Sequence, residues 1–204
     1  MVKVNYSREG IINNLLKNVP TGRGAEIGTF QGAFSKYILE NWKGTLYMVD
    51  VWDSIEDYID MSNHSNFDNK VYLDAMNSIK GMEDRGIMIR STSEKAAEII
   101  PDESLDFVYI DANHAYKYVV QDLELWYPKV KSGGLISGHD YLSIDWYNDP
   151  HFLENGKDKH IYGSDGVYMG VFGVNPAVDE FCSNKGYDFN VTEEWFGSWF
   201  FKKR

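Results

Sequence analysis

The chain has 204 residues, of which 43% are hydrophobic and 15% aromatic, and its formal net charge is −11. This composition predicts a globular protein with a single domain over residues 1–204, because a chain of this length can bury a full hydrophobic core. The acidic balance argues against a nucleic-acid partner, since affinity for a phosphate backbone depends on clustered Lys and Arg. The longest apolar runs fall far short of the roughly 20 residues that a membrane span needs, which argues against a membrane partner.

The chain has one cysteine, Cys182, so an internal disulfide is excluded. A lone cysteine fits a reducing compartment, and residues 1–6 lack the apolar core of a signal peptide. We therefore expect a cytoplasmic protein. Cys182 lies in a predicted helix, where a buried small hydrophobic residue is a better interpretation than a nucleophile.

Apolar runs and helical patterns alternate along the first two thirds of the chain. Ser7 is the expected N-cap of a first helix. Strands are predicted at 25–27, 46–50, 87–90, 105–111 and 134–137, and helices near 32–42, 67–80, 93–99 and 115–126. Continuous apolar strands alternating with helices predict an α/β fold with a doubly wound, Rossmann-like, mostly parallel sheet and helices on both faces.

The C-terminal third follows a different pattern. Asn175-Pro176 predicts the start of a helix that runs to about Lys185, with proline at the favoured first position. Strands are predicted at 187–191 and 195–202, and the short link between them allows only an antiparallel pair. They complete a seven-stranded sheet with an antiparallel C-terminal strand. The aromatic stretch 195–201 fits a core strand better than a homo-oligomer interface.

The first predicted strand runs into a glycine-rich turn, Glu26-Ile27-Gly28-Thr29-Phe30-Gln31-Gly32, and the second strand ends in Asp50. In doubly wound folds such glycines let the backbone approach a nucleotide, and the acid accepts hydrogen bonds from ribose hydroxyls. The spacing is not G-x-G-x-x-G and no phosphate-loop lysine follows. A nucleoside without phosphate is therefore favoured, and a plain βα turn is the alternative.

Polar residues also follow the next two strands. Asp111 ends one strand and His114 follows three residues later, while His139 and Asp140 end the other. If the two strands are parallel neighbours, Asp111, His139 and Asp140 meet at one edge, where they would suit Mg²⁺, Mn²⁺, Ca²⁺ or Fe²⁺. The alternative is that Asp111 caps the following helix while His139 and Asp140 pair with each other.

Two segments, 53–66 and 141–166, are rich in polar and aromatic residues and have no clear period. Both follow the carboxyl ends of predicted strands, the edge at which open α/β sheets bind ligands. Long loops in a compact domain are usually functional or disordered. We expect both segments to form a lid or a substrate wall.

Taken together, these residues resemble the class I S-adenosylmethionine-dependent methyltransferases, and the resemblance covers nearly the whole chain. The matching motifs are Glu26-x-Gly28-x-x-x-Gly32, Asp50, Tyr109-Ile110-Asp111-x-x-His114-x-Tyr116, Asp122-Leu123-x-Leu125-Trp126-x-Pro128-Lys129-x-Lys131-x-Gly133-Gly134 and Gly138-His139-Asp140-Tyr141. The chain is most similar to small stand-alone enzymes related to macrolide-sugar and catechol O-methyltransferases. The implied activity is methyl transfer to a hydroxyl of a small acceptor, a sugar or related metabolite, with help from a divalent metal (Mg, Mn or Fe).

The resemblance also implies roles for individual residues. The cofactor-binding set comprises Glu26, Gly28, Thr29, Phe30, Gly32, Asp50, Val51, Trp52, Ser93 and Asp111. Within it, Glu26, Gly28 and Gly32 would surround the methionine part, Asp50 would hold the ribose hydroxyls, and Val51 or Trp52 and Ser93 would contact the adenine.

The implied metal ligands are Asp111, His139 and Asp140, although the family usually has a carboxylate where this chain has His139. The catalytic residues would be Asp111 and His114, and His114 stands where catechol-type enzymes place a lysine base.

Two alternatives remain open at this stage. One is a metal-independent methyltransferase that acts on nitrogen or on a carboxylate. The other is a non-catalytic nucleoside-binding module of the same fold. A nicotinamide-dependent oxidoreductase is disfavoured, because G-x-G-x-x-G is missing.

Overall fold

The computed structural model describes residues 1–54, 69–142, 152–162, 166 and 168–204. Its strands are β1 (Val2–Val4), β2 (Arg23–Ile27), β3 (Thr45–Asp50), β4 (Gly86–Arg90), β5 (Leu105–Ile110), β6 (Val130–Leu142), β7 (Phe152–Asn155), β8 (Asp158–Tyr162), β9 (Tyr168–Phe172), β10 (Asn190–Thr192) and β11 (Phe196–Lys202). Its helices are α1 (Arg8–Leu16), α2 (Ala33–Asn41), α3 (Lys70–Ser78), α4 (Ser93–Ile99), α5 (Tyr116–Trp126) and α6 (Val174–Lys185).

The main sheet has the strand order β1-β10-β11-β6-β5-β2-β3-β4. β11 is antiparallel to both of its neighbours, whereas the other neighbouring pairs are parallel. The chain order reverses between β2 and β5, which is where open α/β sheets form their ligand crevice. The predicted doubly wound, mostly parallel fold with an antiparallel C-terminal strand is confirmed.

Each face of the sheet carries its own hydrophobic core. On one face, α4, α5 and α6 cover a cluster that includes Val108, Trp126 and Trp199. On the other face, α1, α2 and α3 cover a cluster that includes Ile38, Trp42 and Phe107. Burial on both faces explains why a central strand such as β5 is mostly apolar instead of alternating.

The described structure corrects several details of the prediction. The sheet has eight strands instead of seven, because residues 2–4 pair with β10. α6 begins at Val174, so Pro176 is the third helical residue and not the first. β10 begins at Asn190, later than the predicted 187–191 strand. Cys182 is buried in α6 and burial raises its pKa to about 12, which fits the expected small hydrophobic role.

The two segments expected as lid or wall are only partly described. The part of these segments that lies outside the described residues comprises 55–66, 143–151 and 163–165. The first two residues of the helix predicted at 67–80 also lie outside the described residues. β7, β8 and β9 form a second sheet of three antiparallel strands. The first two of these strands lie in the segment that has no clear period. We call this second sheet the small sheet. In the C-terminal stretch, Trp199 and Phe201 are buried in β11, as expected of a core strand, while Trp195 is exposed.

None of the helices in the described ranges is long and apolar enough to cross a membrane.

The turn after β2 has a strict need for glycine at one position. Gly28 has φ +89°, and a Cβ there would lie 2.0 Å from the backbone oxygen of Asp111. Gly81 has a similar φ of +85°, but a Cβ there would meet nothing within 4 Å. The two positions therefore share the backbone strain and differ only in the steric clash.

We predict that Gly28→Ala lowers the free energy of unfolding by roughly 2–5 kcal/mol, since left-handed strain and overpacking add. Gly81→Ala is the matched control and should cost only the strain, about 1–2 kcal/mol. Chemical denaturation of both variants measures the difference. Equal losses in the two variants would contradict the close contact between Gly28 and Asp111.

Candidate active site

The carboxyl ends of β2, β3, β4 and β5 border a cavity of about 530 Å³. Seven predicted cofactor residues line it together with His114: Gly28, Phe30, Asp50, Val51, Trp52, Ser93 and Asp111. Glu26, Thr29 and Gly32 belong to the same turn but lie outside the cavity wall. The structure thus brings most of the predicted cofactor residues to one surface.

Asp50 organises the turn that follows β2. Its two carboxylate oxygens accept hydrogen bonds from the backbone N–H groups of Phe30 and Trp52, each at 2.8 Å. The indole Nε1 of Trp52 donates to the Phe30 carbonyl at 2.7 Å. Burial raises the pKa of Asp50, and these backbone hydrogen bonds oppose the rise. Asp50 therefore holds the turn together in addition to facing the cavity.

Glu26 is almost completely buried beneath this turn, and Ser35 Oγ donates a hydrogen bond to its carboxyl group. Burial raises the pKa of Glu26 to about 8, while the Ser35 hydrogen bond acts in the opposite direction. A carboxyl group that is largely protonated at neutral pH ionises readily once a cation is placed next to it.

At the predicted adenine end, the Ser93 hydroxyl is engaged within the protein. It donates to the buried Asp122 carboxylate and accepts a 2.8 Å hydrogen bond from Trp126 Nε1. Burial raises the pKa of Asp122 to about 7. Asp122 belongs to one of the family motifs, but its position in the cavity wall is not predicted from the sequence. The missed signal is its place among Val119, Leu123 and Trp126 on the apolar face of α5.

A β-bulge brings His139 and Asp140 to the same edge as Asp111. Gly138 pairs with Trp199 and Tyr141 with Gly197, so His139 and Asp140 together oppose the single residue Ser198. Asp140 has φ +61°, a left-handed conformation that Asp tolerates better than most residues. In a regular strand two consecutive side chains point to opposite faces, and the bulge removes this restriction.

The ligand atoms of Asp111, His139 and Asp140 all lie within 4.8 Å of one another. Register explains the contact between strands, because Ile110 pairs with Gly138 and thus sets Asp111 beside His139. Two carboxylates and one imidazole form a donor set that suits Mn²⁺ or Fe²⁺ and accepts Mg²⁺. The residues present therefore fit a divalent metal.

His114 faces the same cluster. Its Nε2 lies 3.0 Å from Asp140 Oδ2 and 3.6 Å from Asp111 Oδ1. His139 Nδ1 lies 3.4 Å from the other Asp140 oxygen. The pKa of Asp140 is lowered, because the two histidines outweigh its burial. Burial lowers the pKa of His139, but the hydrogen bond to Asp140 and the charge of Asp111 raise it overall.

The alternative structural roles are only partly present. His139 and Asp140 do contact each other, but the first turn of α5 is capped by other groups. The Ala115 N–H donates to Asn113 Oδ1 at 3.0 Å, and the Tyr116 N–H donates to Asp158 Oδ1 at 2.7 Å.

The small sheet and the residue after it hold the segment that carries His114, and no sequence pattern predicts this contact. The Phe172 ring stacks on the His114 imidazole with centroids 5.0 Å apart and planes at 8°. The Gly173 N–H donates to the His114 carbonyl at 2.7 Å, and Asp158 binds Tyr116 as described above. The orientation of His114 thus depends on contacts from 40 to 60 residues away in sequence.

Comparison with known proteins gives a consistent family. The sequence model of a family described as methyltransferase domain matches residues 25–141, more than half of the chain. No curated protein matches the chain in sequence.

Several solved structures share the fold. A protein from Staphylococcus aureus assigned as a caffeoyl-CoA O-methyltransferase has a TM-score of 0.69 at 17% identity, covering 98% of this chain and 85% of that one. A SAM-dependent methyltransferase from Methanosarcina mazei has a TM-score of 0.67 at 12% identity, with coverages of 98% and 99%. The O-methyltransferase TomG from Streptomyces achromogenes, in complex with SAM, has a TM-score of 0.59 at 13% identity, with coverages of 97% and 80%.

The glycine turn, the acid at the tip of β3 and the Asp111 strand all lie within the matched residues, and the chain belongs to the class I S-adenosylmethionine-dependent methyltransferase family.

Proposed function

We propose that this methyltransferase transfers the methyl group of S-adenosylmethionine to a hydroxyl of a small acceptor, a sugar or related metabolite, and that a divalent metal assists. The observation that carries the proposal is the convergence of Asp111, His139 and Asp140 within 4.8 Å at the end of the cavity that His114 lines. When bound, the cofactor supplies an activated methyl group and the metal supplies positive charge at the acceptor oxygen.

The cavity supports the ribose and adenine parts of the proposed cofactor placement, while of the proposed methionine contacts only Gly28 lines its wall. The turn that Asp50 organises would receive the ribose, Val51 or Trp52 and Ser93 the adenine, and Glu26, Gly28 and Gly32 the methionine part. Asp111 belongs to both parts of the site, because it lines the cavity and is also one of the three proposed metal ligands. In this proposal the cofactor lies next to the site of methyl transfer.

His114 is the proposed general base. A hydroxyl is a weak nucleophile at neutral pH, so a group that removes its proton raises the rate. The Asp140 carboxylate 3.0 Å away favours the protonated imidazole, which is the form that exists after proton transfer. Phe172 restricts rotation of the ring and keeps Nε2 directed toward the cluster.

The hydroxyl acceptor is supported by the names of the structural neighbours, two of which are O-methyltransferases. The small sheet stands next to His114, where an acceptor must lie, and we propose that it forms part of the acceptor wall.

Methyl transfer can be tested directly. The purified protein, labelled S-adenosylmethionine and Mn²⁺ are incubated with a panel of sugars, nucleotide sugars and catechols, and the products are analysed by mass spectrometry. The proposal expects label on an oxygen of at least one small hydroxylated compound. Label only on amines or carboxylates would contradict it.

A metal-independent reaction is the second candidate, and one observation favours it. His114 and His139 both contact Asp140, so this carboxylate already has two partners without a cation.

The metal assignment predicts one Mn²⁺ per chain, measured by calorimetry. Asp111→Asn should weaken Mn²⁺ binding at least tenfold, because it removes a charged oxygen ligand. Asp102→Asn is the matched control, since Asp102 is an exposed carboxylate that pairs with Lys129. Turnover should be lost in chelator while cofactor binding persists. Full turnover after exhaustive chelation would establish the metal-independent candidate instead.

The base assignment predicts that His114→Ala lowers kcat by roughly 10²- to 10⁴-fold, the usual share of general base catalysis. The dissociation constant of S-adenosylhomocysteine should stay within about twofold, because this effect acts on the acceptor proton. Lys117→Ala, an exposed change in the first turn of α5, is the control. Near-normal kcat in His114→Ala would move the base elsewhere.

The raised pKa of Glu26 predicts that cofactor binding is linked to the release of a proton. The Glu26 carboxyl group has a pKa raised to about 8 and is mostly protonated at pH 7. A bound α-ammonium would favour the carboxylate, so cofactor binding should release a proton and affinity should rise from pH 6 to pH 8. Calorimetry in phosphate and in Tris at pH 7 measures this release. Glu26→Gln should abolish it and Asp122→Asn should retain it, whereas identical release in Glu26→Gln would refute the linkage.

A further inference from the structure

Arg8 is the first residue of α1 and reaches toward the glycine turn. Its guanidinium Cζ lies 4.7 Å from the centroid of the Phe34 ring, which belongs to the first turn of α2 directly after Gly32. The side chain is 32% exposed, so it is held against the protein but remains open on one side. Stacking on an aromatic face fixes the guanidinium plane without using its N–H donors.

Among the described residues, most of the hydrogen-bonding capacity of Arg8 is not used. Its Nε contacts Glu9 Oε1 at 3.4 Å. Within the ranges that the structure describes, the two Nη groups make no hydrogen bond and no ion pair. A guanidinium has five N–H donors in a fork that matches a carboxylate, so Arg8 retains a free recognition edge.

The positive charge of Arg8 acts on Glu26, at the proposed methionine end, and on His139, in the proposed metal site. It opposes the effect of burial on the pKa of Glu26, and it opposes the rise of the pKa of His139. Burial lowers the pKa of Arg8 itself, but the nearby Tyr109 and Asp111 raise it overall. Arg8 is thus within electrostatic range of Glu26 and Asp111, and its contact with Phe34 sets it beside the helix that follows the glycine turn.

This end of the site is otherwise acidic, with Glu26, Asp50 and Asp111 around the turn. The methionine part of the cofactor carries an ammonium and a carboxylate. Glu26 and Asp111 suit the ammonium, but a carboxylate among these acids requires a cation. We propose that Arg8 binds the α-carboxylate of the methionine part of S-adenosylmethionine; the inference rests on the proposed function.

Other cations near the cavity are engaged elsewhere. Arg90 donates from Nη2 to the Trp52 carbonyl at 2.9 Å and from Nε to the Val51 carbonyl, at the adenine end. Lys36 lies on α2 next to Glu40, with 3.8 Å between the charged atoms. Arg8 is therefore the better candidate for the methionine end.

The test compares two ligands by calorimetry on the full chain: S-adenosylmethionine, and decarboxylated S-adenosylmethionine, which keeps the sulfonium and the ammonium. Arg8→Gln should weaken binding of S-adenosylmethionine roughly 10- to 100-fold, the worth of a hydrogen-bonded charge pair. The decarboxylated ligand should bind the variant equally well or better, because a like charge has been removed. Arg8→Lys should lie between, since an ammonium keeps the charge and loses the fork.

Two further variants control for charge and folding. Lys36→Gln changes the net charge equally on the neighbouring helix and should leave both affinities unchanged. Glu9→Gln removes the negative charge beside the Arg8 Nε and should maintain or improve binding of S-adenosylmethionine.

The inference is overturned if Arg8→Gln weakens both ligands equally, which would indicate a general effect on the fold, or if it weakens neither. If the unmodified chain binds neither ligand, the proposed function fails as well. Binding of S-adenosylmethionine that is insensitive to Arg8 removes only the carboxylate assignment.

Discussion

The close approach of β2 and β5 is the constraint on which the site depends. At the point where the strand order reverses, Asp111 N–H donates to the Ile27 carbonyl at 2.7 Å, and Gly28 lies against the Asp111 backbone. A side chain at position 28 would force these strand ends apart. Because the glycine turn borders the cavity and Asp111 belongs to the cluster with His139 and Asp140, this one contact sets the distance between the two halves of the candidate site. The glycine at position 28 is thus required by the neighbouring strand, whether or not a ligand also approaches it.

The antiparallel C-terminal strand contributes to the site as well as to the sheet. β11 supplies Ser198, the residue opposed by both His139 and Asp140 in the bulge, and Trp199 Nε1 donates to the His139 carbonyl at 3.2 Å. Tyr109 Oη and Ser198 Oγ lie 2.9 Å apart, which ties β11 to the strand that ends in Asp111. β11 and β5, the two strands on either side of the bulge, are thus linked to each other and to it. The side chains of His139 and Asp140 reach one edge because the bulge interrupts an otherwise continuous strand.

The sequence predicted the parts of the molecule that have a period or a motif. The strands that carry Glu26, Asp50 and Asp111 are short apolar runs buried on both faces, and their tips were identified from residue type alone. The bulge at His139 and Asp140 has no such signature, because it depends on how Ser198 on a distant strand is paired. The small sheet is not predicted, because β7 and β8 lie in the segment without a clear period and no strand is predicted at 168–172. The stacking of Phe172 on His114 could not be foreseen, because it joins segments that are distant in sequence.

Burial and pairing divide the acids of the site into two electrostatic groups. Asp50 and Asp122 line the cavity and Glu26 is buried beneath the glycine turn, and burial raises the pKa of each. Asp140 is also buried, yet its pKa is lowered because two imidazoles flank it. A buried acid without a charged partner ionises at little cost only when a cationic ligand binds next to it. Asp140 is already paired with two imidazoles and therefore stays ionised without such a ligand. The cavity is therefore suited to a ligand that brings its own positive charge, such as a sulfonium with an ammonium. Asp140 stays negatively charged beside the proposed site of methyl transfer. This charge can pair with His114 and His139 or with a metal.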